Sequence, residues 1–286
     1  MRYESPQTMD EAVALLAGAE GQARVLAGGT DLLVQLRNDM VEPELVVDIK
    51  HIDEARSIAE EDGGYRIGAA VSAAEMGEHE GLAARFPGVV EAAELIGSTQ
   101  IQGRATIVGN LCNASPAADS VPALIAAGAV ATIAGPNGRR DLPVEEVATG
   151  PGQNALAKGE IVTSLFLPAR PANSADAYLR FIPRTEMDIA VVGAGVSVSL
   201  DDSGVCQAAR VSLGAVAERA LLVAEAADAL VGSTGDEDAL ARLEAAASTA
   251  CKPIDDKRGT KEFRTQVAGV LARRAAVLAF ERARKA

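Results

Sequence analysis

The chain has 286 residues, 48% of them hydrophobic and 3% aromatic, with a net charge of −13 from 27 Lys and Arg against 40 Asp and Glu. That length suffices for two domains and a substantial core, and so negative a charge repels the phosphates of nucleic acid. No apolar run is long enough for a transmembrane helix and the start resembles no signal peptide, so a cytoplasmic protein is expected.

Cys112, Cys206 and Cys251 stand far apart without a C-x-x-C pair. They cannot supply the four thiolates of an iron–sulfur cluster, and no disulfide framework is expected. His51 and His79 sit in polar surroundings without metal-ligand spacing, which favours solvated or capping roles. No Ser-His-Asp or Cys-His constellation exists, so no metal site and no catalytic side chain are expected. Any chemistry falls to a bound cofactor.

In chain order, Thr8-Met9-Asp10-Glu11 is a capping box opening a short helix with Ala12, Val13, Leu15 and Leu16 on its apolar stripe. Ala23 to Leu26 reads as a strand. It runs into Ala27-Gly28-Gly29-Thr30-Asp31 and then a short helix from Leu32 to Arg37. Paired glycines allow close approach of the backbone to a bulky ligand, while the Thr hydroxyl and free helix N–H groups suit an anion, a phosphate above all. Gly-Gly turns are also common as plain structural turns. Leu45 to Ile49 is a further strand, which closes a first lobe over residues 1–55.

A second lobe, residues 56–175, follows the acidic turn at Glu60 to Gly64. Tyr65 to Ala70 is a strand, Ser72 to Glu75 a second capping box, and Val89 to Ile96 a helix. Strands are expected at Val130 to Ile133, Leu142 to Val144 and Ile161 to Leu167, the first two joined by a turn at Gly135-Pro136-Asn137-Gly138. Pro168 to Ala175 has the composition of an interdomain linker. The remainder, 176–286, reads as a separate α+β domain with a strand over Ala190 to Leu200, another near Ala209 to Leu213, and two helices. The last of these places Phe263, Val267, Val270, Leu271, Ala275 and Leu278 on one face. It also carries Arg273, Arg274 and Arg282, a solvated basic face or a docking surface. Gly193-Ala194-Gly195 continues as an alternating strand, which argues against a Rossmann dinucleotide loop.

Between the apolar helices lies a long stretch rich in Gly, Asn, Ser and Thr, from Gly97 to Ser120. A long ordered loop is usually functional. Thr106, Asn110, Asn113 and Ser115 offer hydrogen-bonding groups, Gly109 allows close approach, and Asp119 either caps the next helix or binds a polyol hydroxyl. A turn-rich, capped structural loop is the other reading.

With these residues in view, the sequence resembles the medium, FAD-binding subunit of the molybdenum hydroxylases, the group containing xanthine dehydrogenase and carbon monoxide dehydrogenase. The resemblance rests on Ala27-Gly28-Gly29-Thr30-Asp31, Thr106-Ile107-Val108-Gly109-Asn110, Ala114 to Asp119, Arg184 to Ala190, and Asp256 to Arg264. It implies an α+β fold: a two-lobed FAD-binding domain of the vanillyl-oxidase (PCMH) type, then a smaller α+β C-terminal domain. It also implies that Ala27, Gly28, Gly29, Thr30 and Asp31 embrace the FAD pyrophosphate together with Thr106, Gly109 and Asn110. Asn113 and Asp119 match positions binding the pyrophosphate and ribityl region. Val162 matches an apolar residue at the adenine or flavin edge, and Arg180 a position often held by Lys near the flavin. An Arg supplies a cation there but does not give up its proton.

Two departures weaken carbon monoxide as the complex's substrate: Thr30-Asp31 replaces the His-Ser of carbon monoxide dehydrogenases, and the second loop has one glycine where many relatives have two. In such complexes a small subunit carries 2Fe-2S clusters and a large subunit the molybdopterin cofactor, commonly as a dimer of heterotrimers. The implied function is electron transfer from those clusters through FAD to an external acceptor. The alternatives are a stand-alone flavin reductase on the same fold and a flavin-free bridging subunit.

Overall fold

The computed structural model describes residues 1–286. Strands β1 (Arg2–Glu4), β2 (Ala23–Leu26) and β3 (Leu45–Asp48) form a parallel sheet in the order β1-β3-β2. Helices Met9–Gly18 and Leu32–Arg37 make the crossovers. The predicted capping box closes at both ends: Thr8 Oγ1 accepts the Glu11 N–H and the Glu11 carboxylate accepts the Thr8 N–H, each at 3.2 Å. The central strand β3 is wholly buried, whereas the edge strand β2 is half-buried along its length. β1 is too short and polar to show in sequence; besides its pairing with β3, Tyr3 Oη donates to Asp48 at 2.5 Å.

The second sheet is antiparallel. It contains β4 (Ile58–Glu61), β5 (Gly64–Gly68), β6 (Val130–Gly135) and β7 (Gly138–Pro143). After a small ribbon of β8 (Ala148–Gly150) and β9 (Gln153–Asn154), β10 (Ile161–Leu167) inserts at the centre, giving β4-β5-β10-β6-β7. The strand expected over Leu142 to Val144 ends at Pro143, which has no N–H to extend the ladder, and Val144 opens a helical turn instead. One cluster of 44 buried residues runs through both sheets and the helices around them.

The third sheet is an antiparallel meander of β11 (Ser174–Phe181), β12 (Val192–Leu200), β13 (Cys206–Gly214) and β14 (Leu221–Leu222). With helices Glu237–Ala250 and Lys261–Ala283 it encloses a second cluster of 27 buried residues. The face that seals it shares Leu271 and Ala275 with the one read in sequence, with Val267 and Leu278 packed at its edge, but is made mostly of other residues. It is an alanine stripe of Ala268, Ala272, Ala275, Ala276, Ala279 and Ala283 with Leu271 and Phe280, while Phe263 is exposed. Small side chains let the helix lie close on the sheet, so the large apolar residues fall at its margins.

The two cores meet along a tight seam. An added Cβ on Gly88 would lie 2.9 Å from the Ala177 backbone, and one on Gly195 would lie 2.6 Å from the Pro122 carbonyl oxygen. Helices Pro87–Glu94 and Ser120–Ala126 therefore rest directly on β11 and β12. The stretch expected as a linker is part of this seam: the Arg170 side chain is largely covered, pairs with Asp176 at 3.0 Å and stacks on Phe86 at 4.0 Å. Two of the three arginines of the expected basic face are engaged, Arg282 with Glu91 across the seam and Arg273 with Glu237 at 2.6 Å. No helix is long and apolar enough to cross a membrane.

Candidate cofactor site

β2 ends in the first glycine loop. Gly29 takes φ +78°, a conformation that a Cβ makes costly, and turns the chain from the strand towards helix Leu32–Arg37. Gly28 is fixed by space, since an added Cβ would lie 1.8 Å from the carbonyl oxygen of Arg104. The second glycine-bearing stretch is thus stacked on the first, backbone against backbone. It is not the open loop suggested by composition but folds into helices Thr99–Gln102 and Ile107–Cys112. At four and six residues these are too short to show a helical period in sequence. Thr106 Oγ1 caps the second by accepting the Gly109 N–H at 2.9 Å.

A cavity of about 650 Å³ opens between the two loops, walled by β2 and by residues 152–162 leading into β10. Its size lies within the ~300–1,000 Å³ of small-molecule and cofactor sites. The backbone N–H groups of Gly28, Gly29, Thr30 and Asp31, and of Val108 opposite, have no partner within the chain. A bound anion would satisfy them. Beside Gly109 an added Cβ would meet only Thr106 Oγ1, at 2.8 Å, so the helix presents bare backbone on the side that lines the cavity.

Of the site residues expected from sequence, Ala27, Gly28, Gly29, Thr30, Asp31, Thr106, Gly109, Asn110, Asn113 and Val162 line this one cavity. Asp119 and Arg180 do not. They lie at the seam, one step behind Asn110, whose Oδ1 accepts the Ser120 N–H at 3.0 Å and the Ser120 hydroxyl at 2.7 Å. Adjacent Asp119 pairs with Arg180 at 3.0 Å, and Arg180 donates to the Leu95 carbonyl at 2.7 Å. Asp119 makes no helix-capping bond because its carboxylate turns to Arg180 instead. Burial pushes its pKa up to about 6 even against the pull of Arg180. Its Oδ1 and the Tyr178 hydroxyl are buried without hydrogen-bond partners.

The cavity holds no activated nucleophile. Burial pushes the Cys112 thiol up to about 12, so it stays protonated. The Glu160 carboxylate is bound by Arg140 at 2.7 Å and held down to about 2. His79 Nδ1 accepts the Leu82 N–H at 3.1 Å as a helix cap, and His51 is exposed. Sequence reasoning missed Arg24, Ile96, Leu156, Lys158 and Gly159 in the lining. Each is a single residue in a strand, helix end or short turn, with no motif around it. Free amides for an anion, amide and hydroxyl side chains for a polyol, and apolar Leu16, Val25, Leu156 and Ile161 for a flat ring together fit a dinucleotide cofactor.

Comparisons with known proteins agree with this arrangement. Residues 1–170 match the family described as the FAD binding domain in molybdopterin dehydrogenase, and residues 177–279 match the CO dehydrogenase flavoprotein C-terminal domain. The chain is 33% identical over 282 residues to the carbon monoxide dehydrogenase medium chain of Afipia carboxidovorans, covering 99% of this chain and 97% of that one. It is 31% identical to the nicotinate dehydrogenase FAD-subunit of Eubacterium barkeri, over 81% of this chain and 79% of the relative. A chain of the reconstituted CO dehydrogenase from Oligotropha carboxidovorans superposes with a TM-score of 0.94 at 33% identity, covering 99% of this chain and 98% of that one. The chain therefore belongs to the family of FAD-binding subunits of the molybdopterin dehydrogenases.

Proposed function

We propose that this chain is the FAD-carrying electron-transfer subunit of a molybdenum hydroxylase complex, with the flavin's diphosphate held between the two stacked glycine loops. The observation that carries the reading is the facing set of unpartnered amides, Gly28 to Asp31 on one side and Val108 on the other, around a single cavity. When bound, FAD supplies redox chemistry that no side chain here can provide. The protein's part is to bind and orient. Ala27, Gly28, Gly29, Thr30 and Asp31 with Thr106 and Gly109 cradle the diphosphate, Asn110 and Asn113 take polyol hydroxyls, and Val162 packs a ring edge. Asp119 and Arg180 brace Asn110 through Ser120 from the seam and set the charge beside that end of the cavity.

Electrons would arrive from 2Fe-2S clusters on a small partner subunit and originate at a molybdopterin cofactor on a large one, a reading supported by the likeness to the medium chain of carbon monoxide dehydrogenase. We further propose a cytoplasmic dimer of heterotrimers. Its test is native purification through a tag on this chain, followed by a visible spectrum, subunit analysis and native mass. The expected result is flavin bands overlaid by broad iron–sulfur absorption, three kinds of subunit, and a mass twice that of the heterotrimer. A lone yellow chain that oxidises a nicotinamide by itself would instead establish a stand-alone flavin reductase. A colourless chain that takes up no added FAD would overturn both flavin readings.

A further inference from the structure

The cavity extends well beyond the glycine loops. At one end it reaches Ile96 and Asn110, beside the seam with the third sheet; it also runs along β2 to Leu16, Gly21 and Gly159. The charged side chains lining it are Glu20, Arg24, Asp31, Lys158 and Glu160, three acids against two bases. An anionic cofactor is an odd match for that balance unless one of the cations is committed to it. Lys158 is exposed, and Glu160 is already neutralised by Arg140. Arg24 differs from both. It sits on the half-buried edge strand β2 and lines the cavity; the protein itself covers its Nε, and its terminal guanidinium nitrogens make no hydrogen bond or ion pair within the chain. A half-buried cation at a cavity wall with no counter-charge of its own is suited to an anionic ligand.

Arg24 precedes Gly28 by four residues, about 13 Å along an extended chain. That distance separates it from the diphosphate cradle by roughly the span of a nucleoside. The same cavity is lined by Leu16, Val25 and Leu156, apolar surfaces suited to a purine face. The flavin half then falls at the other end, near Asn110, which accepts from Ser120, the neighbour of the Asp119 that pairs with Arg180.

On the FAD reading above, we infer that Arg24 is the cationic anchor for the adenosine-phosphate half of the cofactor, and that it is the residue by which the site selects FAD over FMN. Its guanidinium presents donors to the acceptor-rich adenylate, to phosphate oxygens, ribose hydroxyls or purine nitrogens, none of which the free flavin mononucleotide extends to this end of the cavity.

The test uses the purified complex stripped of flavin, titrated with FAD and separately with FMN by quenching of flavin fluorescence, for the wild type, Arg24→Gln and Arg24→Lys. Arg24→Gln is expected to weaken FAD about 10- to 100-fold while FMN binds wild type and variant alike. Arg24→Lys keeps the stem and charge and guards against a misfolded variant; it is expected to weaken FAD by a smaller factor, about 3- to 10-fold, again without change in FMN. Unchanged FAD affinity in both variants overturns the proposal. So does equal weakening of FAD and FMN, which marks Arg24 as a structural residue of β2. A wild-type complex that binds neither flavin is a different failure, that of the FAD reading itself.

Discussion

Gly28→Ala is expected to strip the chain of FAD and to destabilise it by about 3 kcal/mol, the upper end of the usual cost of overpacking. The methyl group would sit 1.8 Å from the Arg104 carbonyl oxygen and 2.6 Å from its carbon, and both are backbone atoms that no rotamer change can move aside. The variant must therefore separate the two stacked loops. Separation pulls the amides of Gly28 to Asp31 away from Val108 and opens the cradle that both walls make. A displacement that costs each wall its share of the anion weakens FAD at least about 100-fold. Flavin-to-protein absorbance ratio of the purified variant and its denaturant midpoint measure the two effects. A variant that retains stoichiometric FAD would show that the loops are not jointly required.

Arg180→Met is the second large change. It leaves Asp119 in a buried site without its counter-charge, and breaking a buried pair by removing one partner costs about 3–5 kcal/mol. The effect carries a pH signature. Burial holds the folded Asp119 carboxyl at about 6, above its ordinary value of 3.8, so the folded chain binds that proton more tightly than the unfolded one. The stability this group contributes is full below about pH 4 and is lost as pH rises to about 6. Arg180 is the influence pulling the carboxyl down, by charge and by hydrogen bonding. Without it the folded pKa climbs further, and the loss continues through neutral pH. Urea unfolding at pH 5 and pH 8 should show a small penalty at the lower pH and the full one at the higher. Equal penalties at both would mean that the pair stabilises by packing rather than by charge.

Much of the site was legible because its residues are chemically conspicuous. Paired glycines after a strand, and Thr106 three residues before Gly109, announce close backbone approach and a capped turn, and the structure brings ten of the expected residues to one cavity. What sequence could not give was depth. Asp119 and Arg180 read as ligands, and in the structure they pair with each other at 3.0 Å next to Ser120, the partner of Asn110, and are not among the residues that line the cavity; a spacing along the chain carries no information about that layer. The segment from Pro168 to Ala175 reads as a linker because Pro, Asn and Ser usually mark exposed chain; Arg170 turns it into packed structure through partners far away in sequence, Arg85 and Phe86. The last helix misleads for another reason. Periodicity of large apolar residues finds Val267, Leu271, Ala275 and Leu278, which do pack on the core, but it includes the exposed Phe263 and overlooks the alanines that make most of the contact and score weakly as a hydrophobic stripe. Short helices such as Ile107–Cys112 escape any periodic reading, since less than two turns cannot display a period.

If FAD is seated with its diphosphate between the two glycine loops, a density map of the natively purified complex will show it. The expected map has one elongated ligand in the cavity of this chain, with two phosphate peaks within hydrogen-bond distance of the Gly29, Thr30 and Val108 amides and the adenylate beside Arg24. A flavin seated elsewhere in the complex, with this cavity empty or filled by solvent, would contradict it.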